Sequence, residues 1–260
     1  MLLLANVLVA LVLTPSLVSA AIFPKGTKVK LLDDKGFKKA MEKEETSVVA
    51  FVAPWCGHCQ KLAPEYSKLA TTLDPLIPTY AVDCDEEKNK RLCHDQGIKG
   101  FPTIKVYPRG KHVAPIPYDQ ERTASGIFRF VSLRVANPPK KLLKAKEIEP
   151  WVKKSTKKPR ALLLTKDSKV PLLWKVLSNK YNGKLELGTH RDEKGEAGTT
   201  WGLEKGKTHV LLYPSGSTDP VRYEGATKLE GLTQFFDSVL AGKADLSKVI
   251  KPAERPSDEL

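Results

Sequence analysis

Cysteine is scarce in this 260-residue chain: there are four, Cys56, Cys59, Cys84 and Cys93, and none follows residue 93. So few thiols cannot staple a small, loop-rich scaffold. Nor is a chain that is 41% hydrophobic depleted enough to stay disordered. Long apolar runs are missing after the first 20 residues, which excludes a membrane-spanning helix there, since one needs about 18 or more consecutive apolar positions. Acidic residues are outnumbered, 30 against 43 Lys and Arg, giving a formal charge of +13. That excess raises the possibility of nucleic acid, but no nucleic-acid-binding motif accompanies it, and none is expected as a partner. The length allows one large domain or two ordinary ones, at about 100–200 residues each.

The two ends carry addresses. Leu2 to Leu13 is apolar apart from Asn6, and Val18-Ser19-Ala20 supplies the small residues of a signal-peptidase site. Residues 1–20 thus read as a secretory signal peptide, and cleavage leaves no membrane span. At the other end, Ser257-Asp258-Glu259-Leu260 is similar to the Lys/His-Asp-Glu-Leu retention signal, with Ser257 departing at the first position. Together they predict the lumen of the endoplasmic reticulum, an oxidising compartment in which disulfide chemistry is allowed.

Between the ends, hydrophobic patterning predicts an α/β chain. Lys28–Leu31 reads as a strand, and Asp33 or Asp34 caps a helix through Glu42. Ser47–Ala53 is a continuous apolar run suited to a central strand covered on both faces. A helix through Leu73 places Leu62, Tyr66, Leu69 and Leu73 on one face. There follow a strand Thr79–Asp83, a helix around Lys88–Asp95, a strand Thr103–Tyr107, a turn at Pro108–Gly110, a strand His112–Ile116 and a helix Thr123–Val135. This order gives a mixed central sheet with helices on both faces, closed by the stiff linker Asn137-Pro138-Pro139. A second copy follows. Tyr107-Pro108-Arg109-Gly110 is echoed by Tyr213-Pro214-Ser215-Gly216, and Tyr118 by Tyr223, each ahead of an apolar-periodic helix (Leu229–Leu240 in the second case). Strands at Arg160–Thr165 and Leu185–Gly188 flank a helix Pro171–Lys180. The expected layout is residues 1–20 signal, 21–138 and 139–250 two tandem domains, and 251–260 a tail.

Chemistry concentrates in Ala53-Pro54-Trp55-Cys56-Gly57-His58-Cys59, where a strand gives way to a helix. Two thiols three positions apart in a first helical turn can close a small disulfide ring. The helix N-terminus and a neighbouring His58 lower the pKa of the exposed first thiol, with Lys61 adding positive charge. Cys56 is then the nucleophile, and the shielded Cys59 resolves the mixed disulfide. Pro102, in Phe101-Pro102-Thr103, opens a strand beside the dithiol. A proline there is often cis and leaves a backbone edge open to an extended substrate. A zinc site would need a second pair at similar spacing, but Cys84 and Cys93 stand nine apart, so no metal is expected. Those two thiols can meet as a structural disulfide, remain free, or form a second redox couple.

The Ala53–Cys59 run, Gly100-Phe101-Pro102-Thr103 and the terminal Asp-Glu-Leu together resemble the protein disulfide isomerase family on the thioredoxin fold. The resemblance is close over 25–136 and fold-level over 141–250, like the short members with one catalytic and one redox-inactive domain. It implies a thiol–disulfide oxidoreductase and isomerase without cofactor, acting on unfolded or misoxidised secretory proteins and recharged by an unidentified reoxidant. Trp55, Phe101 and Pro102 would contact substrate. Gly57 and His58 between the cysteines imply a potential near about −180 mV rather than about −270 mV. Arg122, four residues after Tyr118, matches the arginine that lowers the second cysteine's pKa. Two family residues are missing: Ala50 stands where a buried glutamate is usual, and Ala81 where its lysine partner is. Loss of both avoids an unpaired buried charge. In the second copy Lys166-Asp167-Ser168-Lys169 replaces the dithiol, Thr208 the proline and Thr227 the arginine. The rival functions are a redox-independent chaperone or peptide-binding subunit, and a thioredoxin-like reductase.

The charge excess is also local. Nine basic residues lie between Lys140 and Arg160 against only Glu147 and Glu149, either as a solvated face or as a docking site for acidic partners. Trp151, Trp174 and Trp201 sit among apolar neighbours and read as core.

Overall fold

The computed structural model describes residues 22–154 and 157–250; the expected signal peptide and the retention tail lie outside the described residues. The first half contains β1 (Lys30–Leu31), α1 (Asp34–Glu42), β2 (Ser47–Val52), α2 (Gly57–Leu73), β3 (Thr79–Asp83), α3 (Lys90–Asp95), β4 (Thr103–Lys111), β5 (Ile116–Tyr118) and α4 (Ala124–Ser132). The second contains β6 (Lys140–Leu142), α5 (Ile148–Lys153), β7 (Arg160–Thr165), α6 (Leu172–Lys180), β8 (Glu186–Arg191), α7 (Glu196–Thr199), β9 (His209–Tyr213), β10 (Val221–Arg222) and α8 (Leu229–Leu240).

Each half builds one five-stranded mixed sheet. The orders are β1-β3-β2-β4-β5 and β6-β8-β7-β9-β10, the same topology twice. In both, the central strand is parallel to one neighbour and antiparallel to the other. Ser47 opposes Tyr107 as Arg160 opposes Tyr213, so the registers correspond residue by residue. The apolar run Ser47–Val52 is buried at every position because helices cover both sheet faces. Two tandem thioredoxin-like domains of mixed α/β class, the architecture expected from the sequence, are therefore present.

A tyrosine corner repeats as well. Tyr118 donates its hydroxyl to the Glu121 carbonyl, and a Cβ on Gly126 would stand 2.8 Å from that hydroxyl. Tyr223 donates to the Ala226 carbonyl at 3.1 Å, and a Cβ on Gly231 would come within 2.7 Å. Helix α1 starts at the Asp33 cap, whose carboxylate accepts the Gly36 N–H at 2.7 Å.

Three expectations shift. No turn interrupts Pro108–Gly110: β4 continues to Lys111 because the stretch before β2 keeps pairing with it. Thr46 donates to the Pro108 carbonyl and Gly110 N–H to the Glu45 carbonyl. Gly110, at φ 50°, lies so close to the Met41 and Lys43 carbonyls that a Cβ has no room. The reversal falls at 112–115 instead, so β5 starts at Ile116 rather than His112. Strand β8 runs on to Arg191, since its ladder with β7 extends to Thr165.

The halves meet at a seam. Asn137 donates to the Asn179 side chain at 3.0 Å and accepts from Ser178 at 2.7 Å. Asn179 reaches the Glu44 carbonyl, and Lys175 the Ser132 carbonyl. Leu172 and Val176 of α6 pack on the first domain's core.

Candidate active site

β2 ends at Val52, and Ala53-Pro54-Trp55 delivers Cys56 to the N-cap of α2. The Cys56 carbonyl accepts N–H groups from Cys59 (2.9 Å) and Gln60 (3.1 Å), while the Gln60 side chain ties back to the Pro54 carbonyl. Cys56 is half-buried. Cys59, one turn on, has no exposure and sits in the core with Leu62 and Val52. Both are free thiols here, the reduced form of the pair. The Cys56 thiol donates to the Phe101 carbonyl at 3.6 Å.

The two thiols are pulled apart in acidity. Partial burial raises the pKa of Cys56, but it is outweighed by hydrogen bonds from the Cys59 N–H, the Cys59 thiol and the His58 N–H and by the Arg122 charge, and the net shift is downward. Burial drives Cys59 up to about 12, reinforced by its neighbour Cys56 and opposed by the Ala53 backbone and Arg122. The His58 backbone N–H is one of the donors to Cys56, and the side chains of His58 and Lys61 are solvent-exposed.

The facing wall is built from the start of β4. The Phe101–Pro102 peptide is cis, and Arg122 Nη2 donates to the Pro102 carbonyl at 3.3 Å. Trp55, 67% exposed, packs edge-on to Phe101 with centroids 6.0 Å apart, and its Nε1 donates to Asp85 at 2.9 Å. Gly57 is exposed, with open space where a Cβ would stand. All the residues singled out from the sequence around the dithiol therefore lie in one place.

Behind the thiols, Ala50 and Ala81 are direct partners in the β2–β3 register, both fully buried in the core that holds Cys59. The two positions lacking the family's charges are thus cross-strand neighbours. Among the described residues no Asp or Glu is buried. The hydroxyl of the fully buried Tyr66 reaches this layer, donating to the Tyr80 carbonyl at 2.8 Å. Burial holds its ionisation far up, opposed by a hydrogen bond with the Ala50 backbone. Glu65 accepts the Ala124 N–H at 2.7 Å and so fixes the start of α4, two residues after Arg122.

Cys84 and Cys93 are bonded, with Cα atoms 5.9 Å apart, tying the end of β3 to α3. Sequence reasoning missed Asp85 and Glu65, and read Tyr66 only as part of an apolar helix face. An aspartate after Cys84 announces nothing about an indole 30 positions away, and a helical Glu reads as solvated surface. Among the described residues no group of three His, Cys, Asp or Glu is placed to hold a metal ion. No helix among them is long and apolar enough to cross a membrane.

Residues 28–132 match the thioredoxin family. A mitochondrial thioredoxin domain-containing protein of Schizosaccharomyces pombe is 35% identical over 60% of this chain and 44% of its own length. A protein disulfide-isomerase-like protein of Arabidopsis thaliana is 28% identical over 89% of this chain and 59% of its own. A protein disulfide-isomerase of Zea mays is 44% identical over 46% of this chain and 23% of its own. The chain spans roughly half the length of the first of these relatives. Among solved structures, a crystal form of ERdj5 superposes with a TM-score of 0.57 at 17% identity, covering 80% of this chain and 28% of that one, a likeness of fold.

Proposed function

From the premise that this chain belongs to the protein disulfide isomerase family on a thioredoxin fold, we propose that it forms and rearranges disulfides in secretory proteins through Cys56 and Cys59. One observation carries the reading: within a single helical turn the half-exposed thiol is made more acidic and the buried one less so.

The Cys56 thiolate attacks one sulfur of a client disulfide. That S–S bond breaks, and its electron pair leaves on the client's other sulfur, which takes a proton from solvent. The mixed disulfide then has two fates. Another client thiolate displaces Cys56, which rearranges the client without net redox change. Alternatively Cys59 loses its proton, attacks the Cys56 sulfur and frees the client as a thiol, leaving Cys56 and Cys59 oxidised. Run backwards from the oxidised pair, the same steps remove two electrons from a client dithiol, and a reoxidant must accept them.

The second fate is slow here. Burial, which pushes the Cys59 thiol up to about 12, keeps the resolving thiolate scarce at neutral pH. Among the described residues no buried carboxylate stands by to take its proton, so solvent must accept it while the Arg122 charge stabilises the thiolate left behind. Trp55, Phe101 and Pro102 form the client-facing rim, with Gly57 and His58 between the thiols, and Cys84–Cys93 is structural. Residues 21–138 form the catalytic domain and 139–250 the redox-inactive one. Residence in the lumen of the endoplasmic reticulum rests on Val18-Ser19-Ala20 and Ser257–Leu260.

A redox titration of Cys56–Cys59, paired with turnover on scrambled ribonuclease, tests the assignment. A potential near about −180 mV and turnover that falls to background in Cys56→Ser are expected. A potential near about −270 mV makes the protein a reductase, and undiminished folding activity in Cys56→Ser makes it a redox-independent chaperone.

A further inference from the structure

The second domain has no dithiol, yet it holds a groove of about 1050 Å³. The groove crosses the beginning of β6 and β8. Strand β6 first pairs at Lys140 opposite Gly188. Pro138 and Pro139 precede it and have no N–H to offer, so the ladder extends no further back and the start of β8 is left flanked by open space. Leu142, Leu185 and Leu187 contribute an apolar floor, and the half-buried Trp151 lies against it from α5. The sequence expectation that Trp151 is plain core therefore needs amending: a Cβ on Gly188 would meet its ring at 2.9 Å, and one face of the indole serves the groove.

The rim is cationic. Lys140, Lys146, Lys154 and Lys158 line it, all exposed, and none forms an ion pair with a described residue. Two carboxylates also line it, Glu147, which accepts the Leu143 N–H at 3.0 Å, and the exposed Glu186, so the four lysines outnumber them. Lys153 is different, paired with Glu149. The basic stretch Lys140–Arg160 is thus folded so that four of its charges converge on one apolar cleft. A merely solvated face would disperse them.

We infer that this groove is a docking site for an extended acidic polypeptide segment carrying an apolar side chain. The apolar residue would seat against Trp151 and Leu187 and its carboxylates against the four lysines. Charge complementarity selects the ligand and speeds its capture, and the apolar floor discriminates a peptide from a bare polyanion. The inference is independent of the dithiol.

The test uses the full chain and a fluorescein-labelled peptide of about 15 residues, rich in Glu and Asp with a central Trp and Leu, read by anisotropy. Binding is expected to weaken about tenfold or more when the peptide's Glu and Asp become Gln and Asn, and again when salt rises from about 50 to 300 mM. The variant Lys140→Glu, Lys146→Glu, Lys154→Glu, Lys158→Glu should lose a similar factor while keeping its turnover on scrambled ribonuclease. Lys153→Glu, outside the groove, should change little. Equal binding of the neutral peptide overturns the inference whether or not the quadruple variant folds. So does equal competition by an oligonucleotide of matched charge, which would mark a general polyanion patch. Salt-sensitive self-association abolished by the same variant would assign the groove to a second copy of the chain and overturn it too.

Discussion

In the first domain β2 hands over to α2 through Pro54-Trp55-Cys56, and the helix begins at once with its free N–H groups around a thiol. In the second, β7 ends at Thr165 and the chain runs from Lys166 to Pro171 before α6 starts, with no side-chain cap. Helix α2 has 17 residues and α6 only nine. Yet the strand orders, the paired Tyr107 and Tyr213, and the two tyrosine corners coincide. The frame tolerates loss of the strand–helix joint, whereas the chemistry depends on that joint: a helix N-terminus must abut a strand end for one thiol to be activated and the next to be buried.

The sharpest way to press this comparison is to place charges in the two cores. Ala50→Glu alone buries a carboxylate without a cation and should cost about 3–5 kcal/mol in urea unfolding. Adding Ala81→Lys, its cross-strand partner, should recover most of that loss and raise turnover several-fold by giving Cys59 a proton acceptor. By register the counterparts are Leu163 and Thr189. Leu163→Glu with Thr189→Lys should alter stability and leave turnover unchanged; a matching gain there would sever the effect from the dithiol.

A smaller effect is expected where the domains agree. Tyr118→Phe and Tyr223→Phe each leave a turn carbonyl without its hydroxyl and should each cost about 1 kcal/mol of stability. A large inequality between them would show that the corners only look alike.

The smallest concerns Arg122, whose charge lowers both thiol pKa values. Arg122→Gln should let both rise, slow turnover a few-fold at pH 7 and restore much of it as pH increases, because thiolate formation moves to higher pH. Thr227→Arg in the second domain should leave the pH profile of turnover untouched.

Much of this was readable in advance because apolar periodicity and thiol spacing are local signals. Ser47–Ala53 announced a doubly covered strand, and Cys56-Gly57-His58-Cys59 announced a helix-borne dithiol. What escaped notice depends on distant partners. Pro108 and Gly110 spell a turn, but Thr46 and Glu45 hold them in a strand. His58 beside two cysteines suggests an imidazole at work; that its backbone N–H also donates to Cys56 is a matter of helix geometry. Asp85 becomes part of the site because the parallel strands β2 and β3 end at the same edge of the sheet, which sequence separation conceals. The match of Ala50 to Ala81 was legible as two absences; that they touch is a matter of register.

The seam between the domains changes what a fragment of this protein would be. Leu172 and Val176 belong by sequence to the second domain, but they finish the hydrophobic packing of the first, and Asn179 grips the backbone at Glu44. Cutting the chain at Asn137 would therefore leave the first domain with the apolar flank that Leu172 and Val176 now cover exposed to solvent. The second domain thus covers part of the first domain's apolar surface, and the two are not separable at the linker without exposing it.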